Sequence, residues 1–305
     1  MKDYKIEKIN IGKVGDFEVG IPFIKLGHGS PKLTIITGIH GNEHTGLLII
    51  RRLLDKLELK RGTLQLVLSA NPLSKINLKR ESPIDLLDLN RIFPGKKEGS
   101  ITERIAYKLT QVLGDNDLVI DLHTMQQRLK PMVIFVTCNT KADEKSLDAI
   151  KAFNVERVWK IKAINEDKYN QTLGSFLARQ MVPHFALETE ELDKISEKDL
   201  NMIHEGLGNV MANLGMVDKK INKTEIKCFK RNKINADETG IFIPLKEIDS
   251  IIKLGDVVGN ILSSQDFKMN PVKSSKKGFI CDIKTKVFVH EGEHIFSIGQ
   301  WENGN

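Results

Sequence analysis

The chain has 305 residues, 40 % of them hydrophobic and 28 % charged, with a formal net charge of +6. That length allows two domains and that apolar content allows a sizeable core, an ordinary soluble globular composition. No stretch approaches the roughly 18 uninterrupted apolar residues of a membrane span, and Met1-Lys2-Asp3-Tyr4-Lys5-Ile6-Glu7 lacks the apolar run of a signal peptide, so a cytoplasmic protein with no membrane partner is expected.

Cys138, Cys228 and Cys281 are odd in number and far apart, matching neither a metal-binding pair nor a disulfide framework. They read as inert small hydrophobes. Lys219, Lys220, Lys223, Lys227, Lys230, Arg231 and Lys233 cluster in one segment, but with a single aromatic, Phe229, it matches no nucleic-acid module. The segment reads as a solvated connector, and the charge is left as a preference for anionic small molecules.

In chain order, Phe17 to Leu26 reads as edge β structure, because Pro22 is better tolerated there than in a central strand. Leu33-Thr34-Ile35-Ile36 reads as a buried strand and Leu47 to Leu54 as a buried helix, with Thr37 to Gly46 between them. Thr63 to Ala70 is a further strand, ended by Asn71-Pro72. Residues 71 to 99 form a long irregular connection, of a length that is usually functional. Ser100-Ile101-Thr102-Glu103 has the form of a capping box and opens a helix to about Leu113. Asp117 to Leu122 is a buried strand ending at His123. Strand (132 to 137), helices (145 to 153 and 172 to 180), strand (182 to 187) and helix (197 to 214) follow. Strands alternating with helices predict a mostly parallel sheet covered on both faces. Near Val217 the composition changes to short β-rich runs punctuated by glycine, which predicts an α/β domain over 1–217 and a small all-β domain over 218–305.

His40 and Glu43 put an imidazole and a carboxylate three residues apart, with Gly41 between them to allow a sharp turn, as a two-ligand zinc clamp requires. His123, at the end of another buried strand, supplies a third ligand if the two strands are neighbours in a parallel sheet. Two histidines and a carboxylate with one open position is a catalytic zinc set. The rival H-x-x-E-H reading of His40-Gly41-Asn42-Glu43-His44 needs these residues inside a helix. Gly41-Asn42 is a poor helix interior, so His44 is assigned a supporting role. Arg80, Asn90 and Arg91 have two readings. The segment is a solvated loop whose arginines pair with Asp85 and Asp88, or else Asn90 and Arg91 clamp a substrate carboxylate while Arg80 stabilises an oxyanion. His184, His204, His290 and His294 default to structural or solvent-exposed positions.

The motifs Gly38-Ile39-His40-Gly41-Asn42-Glu43, Asn71-Pro72, Arg80 through Pro83 to Asp88-Leu89-Asn90-Arg91-Ile92-Phe93-Pro94-Gly95, and Asp121-Leu122-His123 occur in that order. Together they resemble the succinylglutamate desuccinylase and aspartoacylase group, relatives of the zinc carboxypeptidases. The resemblance implies a zinc-carboxypeptidase-like fold, one zinc per chain held by His40, Glu43 and His123, and a glutamate late in the domain as general base. Pro183-His184-Phe185-Ala186-Leu187-Glu188 matches that stretch, so the base falls on Glu188. Thr189, Glu190 and Glu191 follow it and predict an unusually acidic rim, whereas many relatives have a small residue there. The implied activity is deacylation of a small anionic N-acyl amino acid. A zinc carboxypeptidase and a non-catalytic binding protein are the alternatives, and a homo-oligomer is left open.

Overall fold

In the computed structural model, residues 4–163 and 169–302 are described. The reading of the first three residues, Met1 to Asp3, therefore lies outside them. The α/β part runs β1 (Glu7–Val14), β2 (Phe17–His28), β3 (Lys32–Thr37), α1 (Thr45–Lys56), β4 (Gly62–Val67), α2 (Ile101–Leu113), β5 (Leu118–Met125), β6 (Arg128–Leu129), β7 (Met132–Thr137), α3 (Lys141–Phe153), β8 (Arg157–Lys162), α4 (Leu173–Arg179), β9 (His184–Glu190) and α5 (Glu197–Asn213). The rest adds β10 (Lys227–Asn235), β11 (Gly240–Pro244), β12 (Ile251–Ile252), β13 (Val257–Ser263), β14 (Met269–Lys273), β15 (Gly278–Ile283), β16 (Val287–Val289) and β17 (His294–Trp301).

β3, β5 and β9 are nearly continuous buried runs, as strands covered on both faces must be. They pair in parallel at the centre of a sheet ordered β1-β2-β4-β3-β5-β9-β7-β8. Side chains alternate between faces. Leu33 and Ile35 pack with the inner faces of α1, α3 and α5, whereas Ile36 and Val119 pack with α2 and α4. The predicted capping box of α2 forms, with Ser100 Oγ accepting from Glu103 N.

Two expectations need correction. Phe17 to Leu26 is not an edge: β1 is, and β2 lies between β1 and β4. Pro22 is tolerated because its missing N–H falls just beyond the end of β4, where Leu68 N donates to Pro22 O at 2.9 Å. The basic segment is a connector only as far as residue 226. From Lys227 it becomes β10, which pairs in parallel with β8 and carries the main sheet on through β17 and β15 to β12. A second, four-stranded sheet, β14-β13-β11-β16, packs behind it through Phe242, Val258, Ile261 and Phe296.

Candidate metal centre

The chain leaves β3 through Gly38 at φ 72°, a left-handed conformation that favours glycine. Ala70 N and Asn71 N donate back to Thr37 O and Gly38 O, so the Asn71-Pro72 turn runs alongside. Gly41 lies against it: a Cβ there would come within 2.1 Å of the Ser74 backbone. This packing forces His40 and Glu43 inward, both under 9 % exposed. Helix α1 begins only at Thr45, so residues 40 to 44 are not helical and the H-x-x-E-H reading fails on geometry. His44 sits half-buried at the helix N-cap and outside the cluster.

β5 carries His123 to the same rim. Glu43 Oε1 lies 2.5 Å from His40 Nδ1, and Oε2 lies 2.9 Å from His123 Nδ1. The three groups offer donor atoms all within 4.8 Å of one another, which fits a metal ion. Each imidazole is backed by a carboxylate on its outer nitrogen. His123 Nε2 is 2.8 Å from Asp121 Oδ2, and His40 Nε2 is 3.3 Å from Asp88 Oδ1, a close approach short of a well-formed hydrogen bond. Such backing fixes the tautomer that turns Nδ1 to a metal. Burial opposes charge on both rings, yet Glu43 with Asp88 raises His40, and Asp121 with Glu43 raises His123 well above its usual value. Burial would raise Glu43, but the two imidazoles pull it far down.

The long loop forms one of the two ion pairs that its solvated reading expects. Arg80 does pair with Asp88, Nε to Oδ2 at 2.8 Å, and its Nη1 lies 3.5 Å from His40 Nδ1, so the pair stands beside the His40–Glu43–His123 cluster. Asp85 pairs with neither arginine: it accepts from Ser100 Oγ, Thr102 N and Thr102 Oγ1 at the start of α2. Asp88 also accepts from Asn90 N, which fixes the turn carrying Asn90 and Arg91. Asn90 Oδ1 is committed to Leu173 N at 2.8 Å, so only its NH2 half is left for a ligand. Arg91 donates to Asn90 O and lies over the Tyr169 ring at 5.7 Å.

Glu188 stands directly opposite His123 in the β5–β9 register, so both point to one face of the sheet. It is 9 % exposed, and Oε2 has no hydrogen-bond partner among the described residues. Burial, reinforced by the negative charge of Glu43 and opposed by His123, pushes its carboxyl up to about 7. The predicted acidic rim is neutralised. Glu190 is buried and paired with Arg128, Glu191 is paired with Lys194, and Thr189 donates to His123 O.

Sequence reasoning missed two residues here. Arg231, assigned to a solvated connector, is almost fully buried, bonded to Asp282 at 2.6 Å and stacked over Trp159 at 4.8 Å. His294 is not at the surface either: it is 3.3 Å from Asp282 and lines the same cleft. The missed signal was period two: Phe229, Arg231 and Lys233 alternate along β10 and share the face of Trp159. Metal centre, Glu188, Asn90, Arg91, Arg231 and His294 enclose one cleft of about 410 Å³.

A mostly parallel sheet with helices on both faces, holding two imidazoles and a carboxylate at its strand ends, is a zinc-carboxypeptidase-like α/β fold. Residues 29–214 match the succinylglutamate desuccinylase/aspartoacylase catalytic domain, and the chain belongs to that family of deacylases. A curated relative, the N-alpha-acetyl-L-2,4-diaminobutyric acid deacetylase of Halomonas elongata, is 22 % identical, over 94 % of this chain and 86 % of its own. An aspartoacylase family protein from Mesorhizobium loti shares the fold at TM-score 0.82 and 24 % identity, over 99 % of this chain and 96 % of its own. The product-bound ectoine utilization protein EutE (DoeB) of Ruegeria pomeroyi does so at TM-score 0.85 and 19 % identity, over 97 % and 94 %.

Proposed function

We propose that the protein is a zinc-dependent amidohydrolase that deacylates a small N-acyl amino acid, holding one zinc through His40, Glu43 and His123. The observation that carries this reading is the pairing of that donor cluster with a buried carboxyl, Glu188, on the same sheet face. The deacetylase of Halomonas elongata, similar over nearly the whole chain, supports an N-acyl amino acid as substrate.

When bound, zinc supplies Lewis acidity toward the amide carbonyl and lowers the pKa of water to about 7. Glu188 takes the proton of the attacking water and later gives it to the leaving amine. Arg80, steadied by Asp88 beside His40, donates to the negative oxygen of the tetrahedral intermediate. Arg91, with the NH2 of Asn90, binds the substrate carboxylate. The products are a carboxylate and a free amino acid.

The proposal includes a catalytic domain over 1–217 and a β-rich domain over 218–305 that contributes Arg231 and His294 to the cleft wall. Among the described residues no helix is long and apolar enough to cross a membrane. We assign the enzyme to the cytoplasm, acting on a small anionic substrate without nucleic acid, with homo-oligomers left to solution measurement. The test is turnover by the zinc-loaded protein of N-acetyl and N-succinyl amino acids against dipeptides. Release of free amino acid from the acyl compounds is expected. Cleavage of dipeptides alone would move the reading to a carboxypeptidase, and no metal and no turnover would favour a binding protein.

A further inference from the structure

Three adjacent strands extend the sheet face beyond Glu188, and their register fixes what a substrate meets there. Asp121 on β5 stands opposite Ala186 on β9, Ala186 opposite Ile134 on β7, and Ile134 opposite Trp159 on β8. One step along, Val136 stands opposite Ile161. Residues in register or two apart share a face, so Ala186, Ile134, Val136, Trp159 and Ile161 form one floor continuous with the metal centre. All five line the cleft.

The floor is apolar and incompletely covered. β9 and β7 are otherwise buried along their whole length, and the one residue in each that keeps partial exposure is Ala186 and Ile134 respectively. Ile161 keeps the same on β8. A strand interior that buries everything except the apolar side chains facing a cleft leaves that surface for a ligand to cover.

Arg91 fixes which part of the substrate covers it. Its guanidinium lies over the Tyr169 ring at 5.7 Å, and Tyr169 meets Trp159 edge to face at 6.1 Å. A carboxylate on Arg91 is therefore at the end of the aromatic wall, and the group within a bond or two of that carboxylate lies along it. In an N-acyl amino acid the amide nitrogen and the side chain both branch from the carbon next to that carboxylate; the amide is held at the His40–Glu43–His123 cluster, which leaves the side chain for the wall. At the far side Arg231 is already committed to Asp282 and to the face of Trp159, and Lys233 lines the cleft two residues further along β10, beyond the apolar floor.

Resting on the deacylase reading above, we infer that the substrate is an N-acyl amino acid with a branched aliphatic or aromatic side chain, which packs on Ile134, Val136, Ile161 and the Tyr169–Trp159 wall. An acidic or ammonium side chain would lose its water there against apolar groups.

The test is calorimetric binding of N-acetyl-L-leucine, N-acetyl-L-phenylalanine and N-acetyl-L-aspartate to zinc-loaded Glu188→Gln protein, in which turnover is slowed about 10²–10⁴-fold. The leucine and phenylalanine compounds should bind at least about tenfold more tightly than the aspartate compound, the scale of a few methylenes in an apolar pocket. Adding Ile161→Ala should weaken the leucine compound and leave the aspartate compound unchanged. Equal binding, tighter binding of the aspartate compound, or no binding of any of the three overturns the inference, as does an Ile161→Ala loss common to all. The kcat/KM ratio of wild-type enzyme gives the same ranking should either variant fail to fold. Selective binding without wild-type turnover would strike at the deacylase reading and leave the cleft's preference for apolar side chains standing.

Discussion

Glu43 and His123 lie 80 residues apart in the chain, yet Glu43 Oε2 is 2.9 Å from His123 Nδ1, and its other oxygen is 2.5 Å from His40 Nδ1. One carboxylate thus ties a loop after β3 to the end of β5. Glu43→Gln keeps the shape and removes the charge that a cation requires. The variant should fold, with an unchanged far-ultraviolet circular dichroism spectrum, while its zinc content after dialysis falls from about one per chain to near zero. Elemental analysis of the dialysed proteins checks this, and a variant that keeps its zinc would contradict the ligand assignment.

Asp88 contacts His40 Nε2, holds Arg80 Nε and accepts from Asn90 N, so a single carboxylate orients a ligand, a cation and the Arg91 turn. Its own acidity is greatly increased: burial would raise its pKa, but His40 and the two arginines outweigh burial. Asp88→Asn should weaken zinc binding about 10–100-fold, the usual effect of losing a ligand's outer partner. Asp121→Asn, behind His123, should do the same. Competition against a chromophoric chelator measures both.

In the mechanism we propose, Glu188 serves the chemistry rather than metal binding, and the two arginines divide the substrate between them. Glu188→Gln should keep its zinc and lose about 10²–10⁴ of kcat, the range for a general base. Arg91→Ala should raise KM with little change in kcat, because it binds ground and transition states alike, whereas Arg80→Ala should lower kcat with little change in KM. Steady-state kinetics on one N-acyl amino acid separates the three. An Arg80→Ala effect confined to KM would remove it from the oxyanion role.

The sequence made the centre of the molecule legible because its strands are long apolar runs and the candidate metal ligands sit at their ends. His40, Glu43 and His123 follow from that pattern, and their convergence required only that β3 and β5 be neighbours, as they are. The edges were less legible. β1 (Glu7–Val14), with half its residues exposed, lacks the apolar run that marks a buried strand. β8 and β10 mix lysine and arginine with Val158, Trp159 and Phe229, so charge hid their alternation. Arg231 illustrates the cost: a buried cation looks like a surface one until its partner, Asp282, is known to lie across the sheet. Asp88 was readable as an arginine's partner but not as a partner of His40, since that contact spans the long loop.

His294 supplies a pH-dependent contribution to stability. Gln127 Nε2 donates to its Nδ1, and its Nε2 donates to Ser297 Oγ at 2.8 Å, an arrangement that suits the neutral ring. Burial lowers its pKa from 6.5 to about 4; Asp282 opposes the shift, while Arg231 and Lys233 add to it. The unfolded chain therefore binds the proton more readily than the folded one, so stability rises with pH across this window. The contribution is complete above about pH 6.5 and is lost as pH falls through about 4. At about 1.4 kcal/mol for each tenfold change in proton affinity, it amounts to at most about 3 kcal/mol. Urea unfolding of wild type and of His294→Gln at pH 4, 5, 6 and 7 isolates this contribution. The difference between the two proteins should change by about 2–3 kcal/mol across the series, in the sense that wild type gains more as pH rises. A constant difference would mean that His294 carries its proton equally well folded and unfolded, and the neutral-ring network with Gln127 and Ser297 would have to be redrawn.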